Sequence, residues 1–240
     1  MTWITPNITS PGFYYDMTEQ AHILIAGTTG AGKSVALNGL VKNLLRFAPS
    51  EIGLILIDPK GVELKDFAKL PHTISHHTDI RTIEKAINQA FGLMETRFQE
   101  LAQTDLKRYP GKKIYILIDE YMDLSLRGSK NLHNQISNIA SKGRAAEIHL
   151  IICTQRPCKD TLPPLLKDCL TASLALTTAQ AQQSIYMVGH KGLETLPKGI
   201  GVYTTPTYPG EQIEVNIPLV TDTEIKELVT WWTNQAKTAA

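Results

Sequence analysis

The sequence predicts an α/β fold, a mostly parallel, doubly wound sheet flanked by helices. Short apolar runs, each long enough for a buried strand, recur at residues 21–26, 52–57, 114–118 and 148–153. Apolar residues at helical spacing lie between these runs, most clearly at residues 35–47 and 80–103. Because strands that alternate with amphipathic helices pack into a parallel sheet covered on both faces, the pattern favours one open α/β domain.

The remaining segments extend the same pattern. Further strands are predicted at residues 171–177, 200–204 and, at the edge of the sheet, 212–217. Further helices are predicted at residues 132–146, 178–188 and 221–237. Residues 1–20 form a lead-in segment, in which residues 12–15 suit a short strand, and residues 21–240 form a single domain.

Composition and charge exclude few functions, but they indicate the cellular compartment. The 240 residues are 42% hydrophobic and carry a net charge of +1, so no overall field draws the chain to nucleic acid or membrane. A ring that encloses DNA would still need positive charge only in its pore. There is no apolar run of membrane-spanning length and no signal peptide. The three cysteines lack metal-ligand spacing, which fits reduced thiols, and we predict a cytoplasmic protein.

The first functional motif follows the first buried strand. Residues Gly27 to Ser34 fit the pattern G-x-x-x-x-G-K-[ST] and are followed by a predicted helix. Glycines let successive backbone N–H groups converge on a phosphate, and the helix N-terminus adds partial positive charge. The motif therefore predicts a site for ATP, in which Lys33 reaches the β- and γ-phosphates. The residues expected to bind the nucleotide are Gly27, Thr28, Thr29, Gly30, Ala31, Gly32, Lys33, Ser34 and Val35.

Two carboxylates close the strand at residues 114–118. Behind a phosphate-binding loop, Asp119 and Glu120 are typical of a Walker B element. Asp119 and the Ser34 hydroxyl would hold Mg²⁺, while Glu120 would orient and polarise the attacking water. The sequence therefore predicts an ATP-hydrolysing enzyme with Lys33 and Glu120 as catalytic residues.

Several separate segments together resemble the FtsK/SpoIIIE family of DNA translocases. The matching residues are 22–38, 57–64, 118–120 with 123–124, 143–146 with 148–150, and 154–157, in the family's order. The resemblance runs from the lead-in strand to the closing helix. It implies a RecA-like motor core that assembles as a homohexameric ring and moves double-stranded DNA. A short motor of this kind suits a phage, a plasmid or another mobile element.

The resemblance also assigns roles to individual residues. Gln155 corresponds to a sensor of the γ-phosphate, a role that suits the hydrogen-bonding capacity of its amide. Arg144 corresponds to an arginine finger that a subunit presents to its neighbour's ATP, although Arg156 competes for this role. Asp58 and Lys60 suit either turn residues or couplers of hydrolysis to movement.

Candidate DNA contacts are cationic residues on loops that would face the pore. Arg127 and Lys130 follow the Walker B element, and Lys159 lies in the loop after Pro157. A solvated loop explains each of them equally well. The three histidines at positions 72, 76 and 77 are interpreted as loop residues, because the chain has no second cluster of metal ligands.

The chain also departs from the larger members of the family. It lacks their membrane spans, the domain ahead of the motor and the winged-helix domain behind it, so membrane anchoring and reading of DNA orientation are expected to be absent. Glu147 stands where the family usually has glycine, and residues 158–160 depart from its usual loop. Two alternative functions stay open: an FtsK/SpoIIIE-type ATPase that drives protein export or acts in a larger complex, and a nucleotide switch without hydrolysis.

Overall fold

A computed structural model of the chain describes residues 2–4, 13–15 and 21–238, with side chains in the last of these ranges. Its strands are β1 (Thr2–Ile4), β2 (Phe13–Tyr15), β3 (His22–Ala26), β4 (Ile52–Ile57), β5 (Thr73–His77), β6 (Lys113–Ile118), β7 (Ile148–Thr154), β8 (Ala172–Leu176), β9 (Ile200–Thr205) and β10 (Tyr208–Asn216). Its α-helices are α1 (Lys33–Leu44), α2 (Ile80–Leu101), α3 (Tyr121–Arg127), α4 (Lys130–Lys142), α5 (Pro164–Cys169), α6 (Ala181–Val188) and α7 (Asp222–Thr238).

Eight strands form one sheet in the order β10-β9-β8-β3-β7-β6-β4-β5. The six strands from β8 to β5 are parallel, whereas β9 and β10 pair antiparallel at one edge. Every residue of β3, β4, β7 and β8 is buried, as expected for parallel strands covered on both faces. The predicted α/β class with a mostly parallel sheet is confirmed.

Helices cover both faces of this sheet, so it is doubly wound. On one face, α1 and α7 pack in a core cluster that includes Leu37, Leu40, Ile225 and Val229. On the other face, α2 and α4 pack in a second cluster through residues such as Ile87 and Ile136. Among the described residues, no helix combines the length and apolarity needed to cross a membrane.

The lead-in segment contributes a separate two-stranded sheet. Strand β2 pairs antiparallel with β1, so the predicted strand before the phosphate-binding loop is present at residues 13–15. Gly12 and the rest of the predicted lead-in segment lie outside the described residues.

Two local predictions were wrong, and two short helices were missed. His76 and His77 lie on the edge strand β5 rather than in a loop, and the sequence signal was weak because an edge strand is only partly buried. The short helices α3 and α5 were not predicted. Helix α4 ends at Lys142 rather than at residue 146, with Gly143 as its C-cap, where a Cβ atom would lie 2.4 Å from the Ile148 carbonyl oxygen.

A buried histidine lies at the amino end of β3. His22 is 2% exposed, and its Nδ1 accepts a hydrogen bond of 2.9 Å from the Leu150 N–H. Its Nε2 is buried without a hydrogen-bond partner among the described residues. Burial, reinforced by repulsion from His149, lowers the pKa of His22 to about 3. The folded state therefore keeps this imidazole neutral, although the unfolded chain protonates it below its ordinary pKa of 6.5.

This histidine makes stability sensitive to acid. Because only the unfolded state gains the proton, we expect His22 to lower the free energy of unfolding by about 2 kcal/mol between about pH 7.5 and pH 5. Urea unfolding at both pH values should show a correspondingly smaller acid loss in His22→Asn, which keeps an acceptor for Leu150. The control is His133→Asn, at a partly exposed histidine of α4. Equal acid loss in the His22→Asn variant and the native protein would contradict the assignment.

Candidate nucleotide site

The phosphate-binding loop joins β3 to α1 at the carboxyl edge of the sheet. Gly30 and Gly32 have positive φ angles of 79° and 109°, a conformation that favours glycine. A Cβ atom at Gly27 would lie 2.8 Å from the Leu176 side chain, so packing against β8 requires glycine there as well. Both requirements explain why the motif has glycines at these positions.

Neighbouring strands hold the loop from both sides. The Gly27 N–H donates to the Thr154 carbonyl at 3.2 Å, and the Thr28 N–H donates to the Thr177 carbonyl at 2.8 Å. The Gly199 N–H donates to the Ala31 carbonyl at 3.4 Å. The sequence analysis missed Thr177 and Gly199, because these contacts are made by the backbone and leave no motif.

The Lys33 side chain folds back onto the loop. Its Nζ donates to the carbonyl oxygens of Gly27 and Thr28 at 2.8 and 3.0 Å. Burial lowers the pKa of Lys33, although the acidic groups of Cys153, Glu120 and Asp119 oppose this shift. The ammonium group thus lies inside the curl of the loop, close to the Walker B carboxylates.

Glu120 is fully buried and held through one of its two oxygens. Its Oε1 accepts hydrogen bonds from the N–H groups of Met122 and Gln155, at 3.2 and 3.1 Å, and from the Thr154 hydroxyl at 3.2 Å. The bond from Met122 makes Glu120 the N-cap of α3. Its Oε2 is buried with no partner among the described residues. One oxygen is therefore fixed by three donors, while the other has its hydrogen-bonding capacity unused among the described residues.

Asp119 lies in a cluster of acidic side chains. Burial, with repulsion from Glu63, Asp58 and Glu120, raises the pKa of Asp119 to about 7. A carboxylate crowded in this way is stabilised by a bound cation. The donor set fits Mg²⁺, which prefers oxygen ligands, and Ser34 adds a hydroxyl group in the first turn of α1.

Two candidate residues after β7 lie at the same edge as the loop. The Thr29 hydroxyl donates to the Gln155 side-chain oxygen at 2.9 Å, so the predicted sensor contacts the phosphate-binding loop directly. Arg156 follows it and is exposed. Val35 is partly buried in the first turn of α1.

Arg144 lies near the amino ends of the parallel strands, whereas the phosphate-binding loop lies at their carboxyl ends. It precedes β7, whereas Gln155 follows it, so a seven-residue strand of about 20 Å separates the two residues. Arg144 lines a cavity together with Ala21 and Thr171, which immediately precede β3 and β8. It is exposed and cannot reach the nucleotide site of this chain.

The candidate DNA contacts are exposed but are not all on loops. Arg127 is the last residue of α3 and Lys130 the first residue of α4, with Ser129 capping α4 between them. The prediction that both lie on a loop was therefore wrong. Lys159 lies in the connection between β7 and α5 and is exposed.

Asp58 has a structural role that the sequence left open. Its two carboxylate oxygens accept hydrogen bonds from the N–H groups of Gly61 and Leu64, each at 2.9 Å. It is fully buried and shapes the turn after β4. This turn carries Glu63, one of the charges that raise the pKa of Asp119.

The phosphate-binding loop, the carboxylates after β6 and the order of the sheet strands define the fold of a P-loop ATPase. The profile of the FtsK/SpoIIIE family matches residues 4–112 and 104–159. The chain belongs to this family.

Individual relatives agree with this assignment. Over 234 residues the chain is 35% identical to a DNA translocase FtsK of Leptospira interrogans. The aligned region covers 89% of this chain and 25% of the relative. The chain thus spans about a quarter of the length of that curated relative.

Two solved structures share the fold. The pCW3 conjugation coupling protein TcpA, in a monomer form with ATPγS, has a TM-score of 0.82 at 21% identity over 95% of this chain and 69% of its own. EssC (ATPases 2 and 3) from Geobacillus thermodenitrificans has the same TM-score at 19% identity over 95% of this chain and 46% of its own.

Removing the Asp119 charge should stabilise the nucleotide-free protein. Because the fold disfavours this carboxylate, we expect Asp119→Asn to raise the melting temperature at pH 8 by about 5 °C. We also expect it to abolish the additional stabilisation that Mg²⁺ gives in the presence of ATPγS. Thermal melts with and without Mg²⁺ test both effects. Asp123→Asn, in the first turn of α3, is the control, and a lower melting temperature for Asp119→Asn would contradict the prediction.

Proposed function

We propose that this protein binds and hydrolyses ATP at the loop between β3 and α1. The observation that carries the proposal is Glu120, whose Oε1 is fixed by three donors while its buried Oε2 has no partner among the described residues. A general base needs this arrangement, because a fixed carboxylate can orient a water molecule with its second oxygen. Glu120 is the base in this proposal.

Lys33 and Gln155 bind the phosphates in this proposal. Lys33 exchanges its bonds to the Gly27 and Thr28 carbonyls for bonds to the β- and γ-phosphates, which neutralise its buried charge. Gln155 contacts Thr29 of the loop and senses the γ-phosphate from this position. Ser34 and Asp119 hold Mg²⁺, which offsets the charge of the phosphates when it is bound.

We further propose that the active unit is a homohexameric ring. A strand of about 20 Å separates Arg144 from its own nucleotide site, and this separation supports a role for it at the ATP of a neighbouring subunit. A guanidinium group suits the negative charge that develops during phosphoryl transfer. Arg156 lies beside Gln155 and would act within its own subunit. We assign the finger to Arg144.

Double-stranded DNA is the proposed track. The support is the family and the name of the relative from Leptospira, a DNA translocase. Arg127, Lys130 and Lys159 are exposed cationic residues that could contact backbone phosphates in the pore. We place the protein in the cytoplasm and expect it to act in DNA transfer by a phage, a plasmid or another mobile element.

Protein export is the second candidate function. The sequence leaves this alternative open, and the fold does not decide between the two functions, because EssC and the conjugation coupling protein have the same TM-score of 0.82. At 19% identity this likeness concerns the fold alone. The export hypothesis expects a peptide, rather than DNA, to stimulate hydrolysis.

Long linear duplex DNA should stimulate ATP hydrolysis. If hydrolysis drives movement along a track, the steady-state rate should rise with DNA length as well as with DNA concentration. Glu120→Gln should lower kcat by about 10²-fold or more, because it removes the base but keeps the shape of the side chain. A coupled assay with DNA fragments of increasing length makes the measurement. Healthy basal turnover without any effect of DNA would favour the export hypothesis.

The finger assignment has its own test. We expect Arg144→Ala to lower kcat by about 10³-fold or more while ATP affinity stays unchanged, because the finger stabilises only the transition state. Arg156→Ala is the matched comparison. Single-turnover hydrolysis and binding of a fluorescent ATP analogue separate the two effects. Normal hydrolysis by Arg144→Ala would transfer the role to another residue.

A further inference from the structure

The turn that carries Arg144 contains one strained residue. Residues 143–148 connect α4 to β7, and Glu147 within them has a φ angle of +53°. It is the one residue other than glycine with a positive φ angle in the described part of the chain. The left-handed region disfavours any residue with a Cβ atom, so contacts elsewhere must hold Glu147 in it.

The side chain of Glu147 supplies such contacts. It is 4% exposed, and its Oε2 lies 3.0 Å from Nε2 of His149. Two cations are near: Lys113 Nζ lies 3.8 Å from Oε2 and Arg108 Nη1 lies 4.0 Å from Oε1. Burial opposes ionisation, but the bond from His149 and the charges of Lys113 and Arg108 lower the pKa of Glu147.

His149 is a rigid partner for this carboxylate. Its Nδ1 lies 3.0 Å from the Ala21 carbonyl oxygen, and its ring stacks on Tyr115 with centroids 4.8 Å apart. It is itself part of β7, which is buried along its whole length. The Glu147 carboxylate is therefore anchored to the sheet and not to another loop.

The backbone of the turn connects this anchor to Arg144. The Glu147 N–H donates to the Arg144 carbonyl at 3.3 Å. The buried Arg97 guanidinium donates to the carbonyls of Ala146 and Glu147 at 2.7 and 3.3 Å. The φ angle of Glu147 thus sets the path of the turn, and with it the place from which the Arg144 side chain leaves the surface.

We infer that Glu147 is a positioning residue for Arg144: its anchored carboxylate holds a left-handed backbone that fixes the arginine turn. This inference rests on the proposed role of Arg144 at the neighbouring subunit's ATP. It assigns Glu147 no contact with the nucleotide. Its effect lies on kcat of the neighbouring site, not on ATP binding in its own subunit.

Two substitutions separate the backbone from the side chain. Glu147→Ala keeps the Cβ atom and loses the anchor, so the turn relaxes, and we expect kcat to fall roughly 10- to 100-fold with KM for ATP unchanged. Glu147→Gly also loses the anchor but adopts a positive φ angle freely, so kcat should stay within about threefold of the native value. Val229→Ala is the control for a general loss of stability, since Val229 packs on the other face of the sheet.

Hydrolysis by rings that contain two different variants tests whether Glu147 acts through Arg144 or only stabilises the fold. Glu147→Ala subunits keep an intact phosphate-binding loop, and Lys33→Ala subunits keep an intact arginine turn. Mixing these two proteins should raise DNA-dependent hydrolysis above the sum of their separate rates, as mixing Arg144→Ala with Lys33→Ala should. Mixing Glu147→Ala with Arg144→Ala should restore nothing, because both lack the same function.

The outcomes distinguish this inference from the proposed function. If Lys33→Ala complements Arg144→Ala but does not complement Glu147→Ala, the arginine-finger role of Arg144 is supported and the positioning role of Glu147 is overturned. Equal kcat in the Ala and Gly variants would also overturn it. Should Glu147→Ala fail to fold, Glu147→Gln replaces it, and a kcat no lower than that of Glu147→Gly overturns the inference. If Arg144→Ala hydrolyses normally, the proposed finger itself fails.

Discussion

The alignment of three parallel strand ends is the constraint on which the candidate site depends. Ala26 of β3 pairs with Thr154 of β7, and Ile118 of β6 pairs with Ile152 of β7. The segments that follow these strands therefore leave the sheet at one edge. Because of this register, Glu120, which follows β6, can accept a hydrogen bond from Thr154 of β7. Its Oε1 is therefore fixed by donors from the segments after β6 and at the end of β7. A slip of one residue in β7 would turn its side chains to the opposite face.

The same edge concentrates negative charge in a dry environment. Both carboxylate oxygens of Asp58 accept hydrogen bonds from backbone N–H groups, but the negative charge of Asp58 still raises the pKa of Asp119. Lys33 is the buried cation of the loop, and its ammonium is bound to carbonyl oxygens and not to a carboxylate. The charge of Lys60 lowers the pKa of Asp119, but burial and the neighbouring carboxylates outweigh it. A site with this imbalance favours a ligand that brings a cation with it.

The sequence predicted those features whose cause is local. Gly30 and Gly32 are recognisable because a positive φ angle selects glycine, and the Walker B carboxylates follow an unmistakably apolar strand. The sequence analysis missed β5, because its partial burial weakens the apolar pattern. It also missed the hydrogen bonds that Thr177 and Gly199 make with the phosphate-binding loop. The latter are backbone contacts between distant segments, so any side chain is compatible with them. For the strained φ angle of Glu147 the one sequence signal is the glycine that the resembling family usually has at this position.

In the proposed ring, the two ends of β7 would contribute to two different nucleotide sites. Strand β7 ends at Thr154, immediately before Gln155 and beside the phosphate-binding loop, and it begins next to Glu147 and the Arg144 turn. It is hydrogen-bonded to β3 on one side and β6 on the other, and all seven of its residues are buried. It therefore cannot slide without breaking both ladders. The separation between Gln155 and the Arg144 turn is therefore fixed by the sheet, so in the proposed ring neither could move without the rest of its subunit.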